Sequence, residues 1–179
     1  MIPFLLGERV YLRPLCEEDI KGGYPLWFNS ASVCAGNSHH VYPYTEAEGM
    51  EYIRYANATK TDLILAIIAG SMEVHIGNVA LQNIHPIYRS ADFAIVIGED
   101  RYWGKGYGYE AASLIINHGF MELGLLRIAC ATLDNNHGMQ KLAVKLGMRL
   151  EGTRVAAAYK SGEFLNVVEF GILREEWIK

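Results

Sequence analysis

The chain has 179 residues, 51% of them hydrophobic and 20% charged, which is the make-up of one ordinary globular domain spanning residues 1–179. Sixteen Lys and Arg stand against twenty Asp and Glu, a net charge of −4, and this argues against an electrostatic nucleic-acid surface. Cys16, Cys34 and Cys130 are too widely spaced for a disulfide framework or a zinc site and fit a reducing, cytoplasmic compartment. The first six residues are apolar but meet Glu8 and Arg9 at once, and no run reaches ~18 apolar residues, so neither a signal peptide nor a membrane span is expected.

Arg9 to Leu15 alternates and predicts a first strand, stopped by Pro14. Glu17, Glu18 and Asp19 favour a helix start, and Gly22, Gly23 and Pro25 keep that helix short or broken. Asn37 to Pro43 reads as a loop. Thr45-x-x-Glu48 is a capping box opening a helix to about Ala58. Asp62–Ala69 and Val74–Ile84 read as strands of a hairpin around Gly70-Ser71, and Ala91–Ile97 as a third strand of the group.

Glycines then cluster between Gly104 and Gly108, before a helix whose apolar residues Ala112, Ile115, Ile116, Phe120 and Leu123 share one face and which Gly124 ends. Arg127–Leu133 is a strand. A helix through Met139, Leu142, Ala143 and Leu146 stops at Gly147. Met148–Tyr159 and Phe164–Leu173 are the last strands, joined by a turn at Lys160-Ser161-Gly162-Glu163. The order β-α-α-β-β-β-α-β-α-β-β predicts an α/β fold: a mixed central sheet of about seven strands with four helices. The central β-α-β crossover begins at the glycine loop.

Tyr102-Trp103-Gly104-Lys105-Gly106-Tyr107-Gly108-Tyr109-Glu110-Ala111 joins strand to helix. Glycines there let backbone N–H groups converge, and the helix N-terminus adds positive charge, so the loop suits a pyrophosphate or another anion. Lys105 could add a charge-assisted contact. Gly106-x-Gly108-x-x-Ala111 also meets the loose dinucleotide fingerprint, but too little chain follows for a second mononucleotide half.

These residues resemble the GCN5-related N-acetyltransferase (GNAT) superfamily, and in particular its ribosomal-protein N-terminal acetyltransferase branch, which also holds many small-amine acetyltransferases. The glycine loop is similar to the family's acetyl-CoA pyrophosphate loop. Asn135 to Met148 is similar to its second CoA segment. Arg149-Leu-Glu-Gly152 and Gly171 to Trp177 are similar to the branch's tail. The resemblance implies acetyl transfer from acetyl-CoA to a primary amine of a small molecule or protein N-terminus. It implies that Val96 and Ile97 offer backbone groups to the pantetheine arm, that Trp103, Gly104, Lys105, Gly106, Tyr107 and Gly108 hold the pyrophosphate, and that Asn136 bonds the pantetheine or nearby chain. Lys141 and Lys145 would either reach the nucleotide phosphates or line an exposed helix face. A homodimer is also implied.

The departures from the family are Trp103 for a Gln or Arg, Met139 for a Ser, Ala143 for a Tyr, and Asn166 and Phe170 for an Asp and a Tyr. Met139 and Ala143 remove the two usual proton donors to the leaving thiolate, which keeps open a non-catalytic acyl-CoA-binding module. A nucleotide-binding oxidoreductase rests only on the loose glycine match. Asp92, before the loop, is the candidate general base, or else an exposed charge on an alternating strand. Tyr159 is a candidate proton donor, or a core or rim tyrosine. His39, His40, Tyr42 and Tyr44 fall in the loop that the family uses for the acceptor, or on a plain surface loop. Glu46, Glu48 and Glu51 read as a solvated helix face rather than a polyamine site. The remaining histidines are scattered, and no metal site is expected.

Overall fold

The structure, a computed structural model, describes residues 2–70 and 73–177. Two strands, β1 (Leu5–Leu6) and β2 (Val10–Pro14), precede a 3-10 turn at Glu17–Lys21, the short helix α1 (Tyr24–Trp27) and α2 (Glu46–Ala58). A meander follows: β3 (Leu63–Ala69), β4 (Val74–His85) and β5 (Ser90–Ile97). Then come α3 (Tyr107–Met121), β6 (Arg127–Leu133), α4 (His137–Lys145), β7 (Arg149–Lys160) and β8 (Glu163–Leu173).

The strands form one mixed sheet in the order β1-β2-β3-β4-β5-β6-β8-β7. The eighth strand, β1, is only two residues long, too short to leave a periodicity. The β5–β6 pair is parallel and all other pairs are antiparallel. That is not the doubly wound parallel sheet a dinucleotide fold requires. Ser71, half of the expected β3–β4 turn, lies outside the described residues.

Local chemistry explains the boundaries. Thr45 caps α2 by accepting from Glu48 N–H, and the Glu48 carboxylate returns to Thr45 N–H, the reciprocal capping box. Gly147 takes φ +89° beyond α4. Ser161 and Gly162 both have positive φ, the two-residue turn whose twist matches an antiparallel hairpin. α3 stops at Met121, three residues before Gly124; Glu122 and Leu123 both donate back to His118 O.

The apolar run of β3 lacks alternation because both faces of the sheet are covered. Leu65, Ile67 and Ala69 join the core under α3, with Ala112, Ile115, Ile116 and Phe120. Ile64, Ala66 and Ile68 join a second core with Tyr24, Trp27, Phe28 and Ile53 on the α1–α2 side. Cys130, buried against Met148, packs as a small hydrophobe. Among the described residues no helix is long and apolar enough to cross a membrane.

Candidate functional site

The central parallel pair comes apart. β5 and β6 pair only through Ser90↔Arg127, Ala91↔Ile128 and Asp92↔Ala129, although each strand continues for five residues or about that. Beyond Asp92 the two strands diverge, leaving backbone groups of β5 without a ladder partner on that side. Gly98 N–H donates to Ile76 O at 2.9 Å, and hydrogen-bonded residues alternate along an antiparallel ladder. Val96 therefore turns its N–H and C=O to β4, and Ile95 and Ile97 turn theirs to the split. This corrects the expectation for Val96, since a one-residue shift reverses the direction of the backbone groups. Trp103 then donates its indole N–H to Ile97 O at 2.7 Å, folding the glycine loop back onto the end of β5.

Gly104 and Gly106 hold φ +68° and +89°, a region closed to most side chains. Gly106 is the N-cap of α3 and brings no side-chain cap, so the first-turn N–H groups stay available to an anion. Arg9 holds this loop from the far end of the sequence. Its Nη1 donates to Lys105 O at 2.9 Å, and its Nε pairs with Glu110 Oε2 at 3.0 Å. Glu110 Oε1 also accepts from Arg9 N–H and Val10 N–H. Burial opposes the Glu110 charge, but these donors outweigh it and hold the carboxyl below the usual range. Glu110 is thus a fastener between β2 and α3. On α4, Lys145 Nζ lies 4.4 Å from the centre of the Tyr109 ring, and Lys141 and Lys145 line a shallow cleft with Gln140, Val144 and Phe170.

The segment after α1 bridges the mouth of the split. At the C-terminal end of β5, Trp27 lies against Gly98, and its indole N–H donates to Glu99 at 3.2 Å. At the C-terminal end of β6, Asn136 Nδ2 donates to Gly36 O at 3.0 Å, while Asn136 Oδ1 caps α4 through Met139 N–H. Asn136 thus bonds nearby chain with both ends of its amide. A Cβ on Gly98 would fall within 1.9 Å of the Trp27 ring. Gly98→Ala is therefore expected to displace α1 and lower stability by about 1–3 kcal/mol, the usual range for overpacking. Chemical denaturation measures this, and an unchanged midpoint would show that α1 yields freely.

Asn29 closes the loop that follows. Its Nδ2 donates to Tyr44 O at 2.6 Å and its Oδ1 accepts from Tyr44 N–H at 2.8 Å, so residues 30–43 form an Ω-type loop with a fixed neck. Cys34, fully buried, anchors it from inside against Trp27 O. His39, His40, Tyr42 and Tyr44 come together here, with Phe28, Val41 and Glu48, around a pocket of about 170 Å³. The His39 ring lies 4.4 Å from that of Phe28. Burial, then the nearby Lys160 charge, lowers its pKa. Lys160, at the β7–β8 turn, donates its ammonium to His39 O.

Beside Trp27 lies a buried polar cluster. Arg13 grips Asp19 with two bonds, of 2.9 and 2.6 Å. His75 Nδ1 is 3.2 Å from Asp19 Oδ1, and His75 Nε2 is 2.9 Å from Asn78 Oδ1. Burial works against the Asp19 charge, but the bonds from Arg13 and His75 prevail and drive its pKa far below the carboxylate range. The His75 ring meets Trp27 edge-on at 4.9 Å, so this cluster supports the bridge over the split.

Neither candidate catalytic residue is among those lining the pocket. Asp92 is exposed, sits at the last paired position before the split, and accepts from Asn83 Nδ2 at 2.9 Å. Tyr159 is 65% exposed and packs edge-on against its cross-strand neighbour Phe164. Arg9, Asn29 and Trp27 were not among the expected site residues. Their partners lie 96, 15 and 72 positions away, and no local motif marks them.

A family model described as an acetyltransferase (GNAT) domain matches residues 9–149. The spermidine N(1)-acetyltransferase of Escherichia coli (strain K12) is 28% identical over 173 residues, covering 96% of this chain and 90% of that protein. An uncharacterized N-acetyltransferase of Bacillus subtilis (strain 168), YnaD, is 37% identical over 76 residues, which is 42% of this chain and 45% of that protein's length. Among solved structures, a spermidine N-acetyltransferase from Vibrio cholerae in complex with CoA and spermine superposes with a TM-score of 0.86. It is 22% identical and covers 96% of this chain and 99% of that one.

Proposed function

Because the chain belongs to the GNAT acetyltransferase family, we propose that it moves an acetyl group from acetyl-CoA to a primary amine by direct attack on the thioester. The divergence of β5 and β6 beyond Asp92 carries this reading. It leaves an edge to which an extended amide-bearing arm can add as a strand, ending beside the open N-terminus of α3. There the backbone N–H groups from Gly104 to Gly108 would meet the pyrophosphate, the Trp103 N–H being committed to Asp100 O at 2.9 Å, with Lys105 and Arg9 adding charge.

The amine nitrogen forms a bond to the thioester carbonyl carbon, the carbon–sulfur bond breaks, and the amine proton leaves so that CoA departs as a thiol. A backbone N–H of β5 facing the split would stabilise the oxyanion. Asp92, at the apex, would take the amine proton directly or through a water. The loop of His39, His40, Tyr42 and Tyr44 would hold the acceptor, and Tyr159 would stand at its rim. With Met139 and Ala143 in place of the usual donors, solvent would protonate the thiolate.

The reading extends to one domain over residues 1–179, the ribosomal-protein N-terminal branch, a cytoplasmic location and a homodimer, for which β7 supplies an edge strand. Acetyl-CoA is expected to raise the melting temperature, and free thiol is expected to appear when an amine is added. Absence of both overturns the function. Binding without thiol release from any amine in a broad panel favours the binding module.

A further inference from the structure

We infer that the acceptor is a monoamine bearing a flat apolar group, an arylalkylamine in type, and that polyamines are poor substrates of this chain. The inference rests on the acetyltransferase reading and concerns the pocket formed by the 30–43 loop.

Five of the nine residues that line the pocket carry aromatic rings: Phe28, His39, His40, Tyr42 and Tyr44. Phe28 and Tyr44 are packed 4.9 Å apart, and the Asn29 clamp fixes the neck beside them. Rigid rings offer a large contact area with little entropy to lose. The volume of about 170 Å³ has room for a single ring, roughly 150 Å³ being enough for benzene.

The charges point the same way. Glu48 is the carboxylate among the lining residues, and its Oε2 already accepts from both the N–H and the hydroxyl of Thr45. Aromatic faces also attract a cation, but Lys160 already places an ammonium on His39 O and opposes a second. A polyamine would bring several ammonium groups to a site with one shared carboxylate and a resident cation. Each ammonium taken from water without a partner is costly. An arylalkylamine brings only the amine that reacts.

Thiol release from acetyl-CoA with 2-phenylethylamine and with spermidine tests this. The kcat/KM for 2-phenylethylamine is expected to exceed that for spermidine by about tenfold or more, roughly one step of 1.4 kcal/mol. K160E should raise the spermidine-to-phenylethylamine ratio by about tenfold. Equal or better use of spermidine by the unaltered protein overturns the inference. A ratio unmoved in K160E overturns the role of Lys160. If acetyl-CoA raises the melting temperature and 2-phenylethylamine is not acetylated, the inference alone falls. If acetyl-CoA does not bind, the acetyltransferase reading falls, and the inference with it.

Discussion

Asp19→Ala is expected to destabilise the protein by about 3–5 kcal/mol, the range for breaking a buried ion pair from one side. Arg13 is 9% exposed and Asp19 5%, so removing the carboxylate strands a buried guanidinium. It also takes the oxygen facing His75 Nδ1 and the acceptor of Cys16 N–H. Urea unfolding measures the loss, and a change below about 1 kcal/mol would contradict it. The same group sets a pH dependence. Its folded pKa lies below the unfolded value of ~3.9, so the unfolded chain binds more protons in acid. The contribution is therefore present in full above that value and is lost as pH falls below it. The Asp19→Ala protein should show a flatter acid limb. Its site should also loosen, because His75 and Trp27 are in edge-on contact.

Asp92→Asn is expected to lower kcat by about 100-fold or more near neutral pH, the effect of removing a positioned general base. The melting temperature and acetyl-CoA affinity should change little. Asp92 is exposed, and an Asn retains a carbonyl oxygen for the Asn83 amide now bound at 2.9 Å. A kcat within threefold of the unaltered protein would place the base elsewhere, with His39 next in line. That alternative has its own signature. Burial and Lys160 lower the His39 pKa, so the neutral imidazole persists below the ordinary value of ~6.5, and the acid limb of the rate profile would fall below it. Folding stability would likewise rise with pH across that window, because the unfolded chain holds the extra proton there.

Residues that act through their immediate neighbours were legible in the chain itself. The Thr45–Glu48 capping box, the stop at Gly147, the Ser161-Gly162 turn and the helical face of α3 each depend on contacts within about one turn. Their positions follow from spacing and backbone preference alone. The glycine loop was legible for the same reason, since Gly104 and Gly106 adopt a φ that few other residues tolerate. The grouping of His39, His40, Tyr42 and Tyr44 was visible because one short loop carries them all.

What depends on register or on distant contacts was decided only by the tertiary structure. Strand alternation located β5, but its pairing with β4 decided that Ile95 and Ile97, rather than Val96, face the split. The length of β1 gave periodicity nothing to act on. Arg9 at the glycine loop, Trp27 against Gly98 and Asn29 at the neck of the 30–43 loop each join segments distant in the chain. Such contacts require closing long loops, and that entropy is offset only when the whole sheet and both cores assemble. Composition and local pattern therefore determined the elements and the glycine loop. The opening between β5 and β6, and the pocket around the 30–43 loop, exist only because those elements pack together.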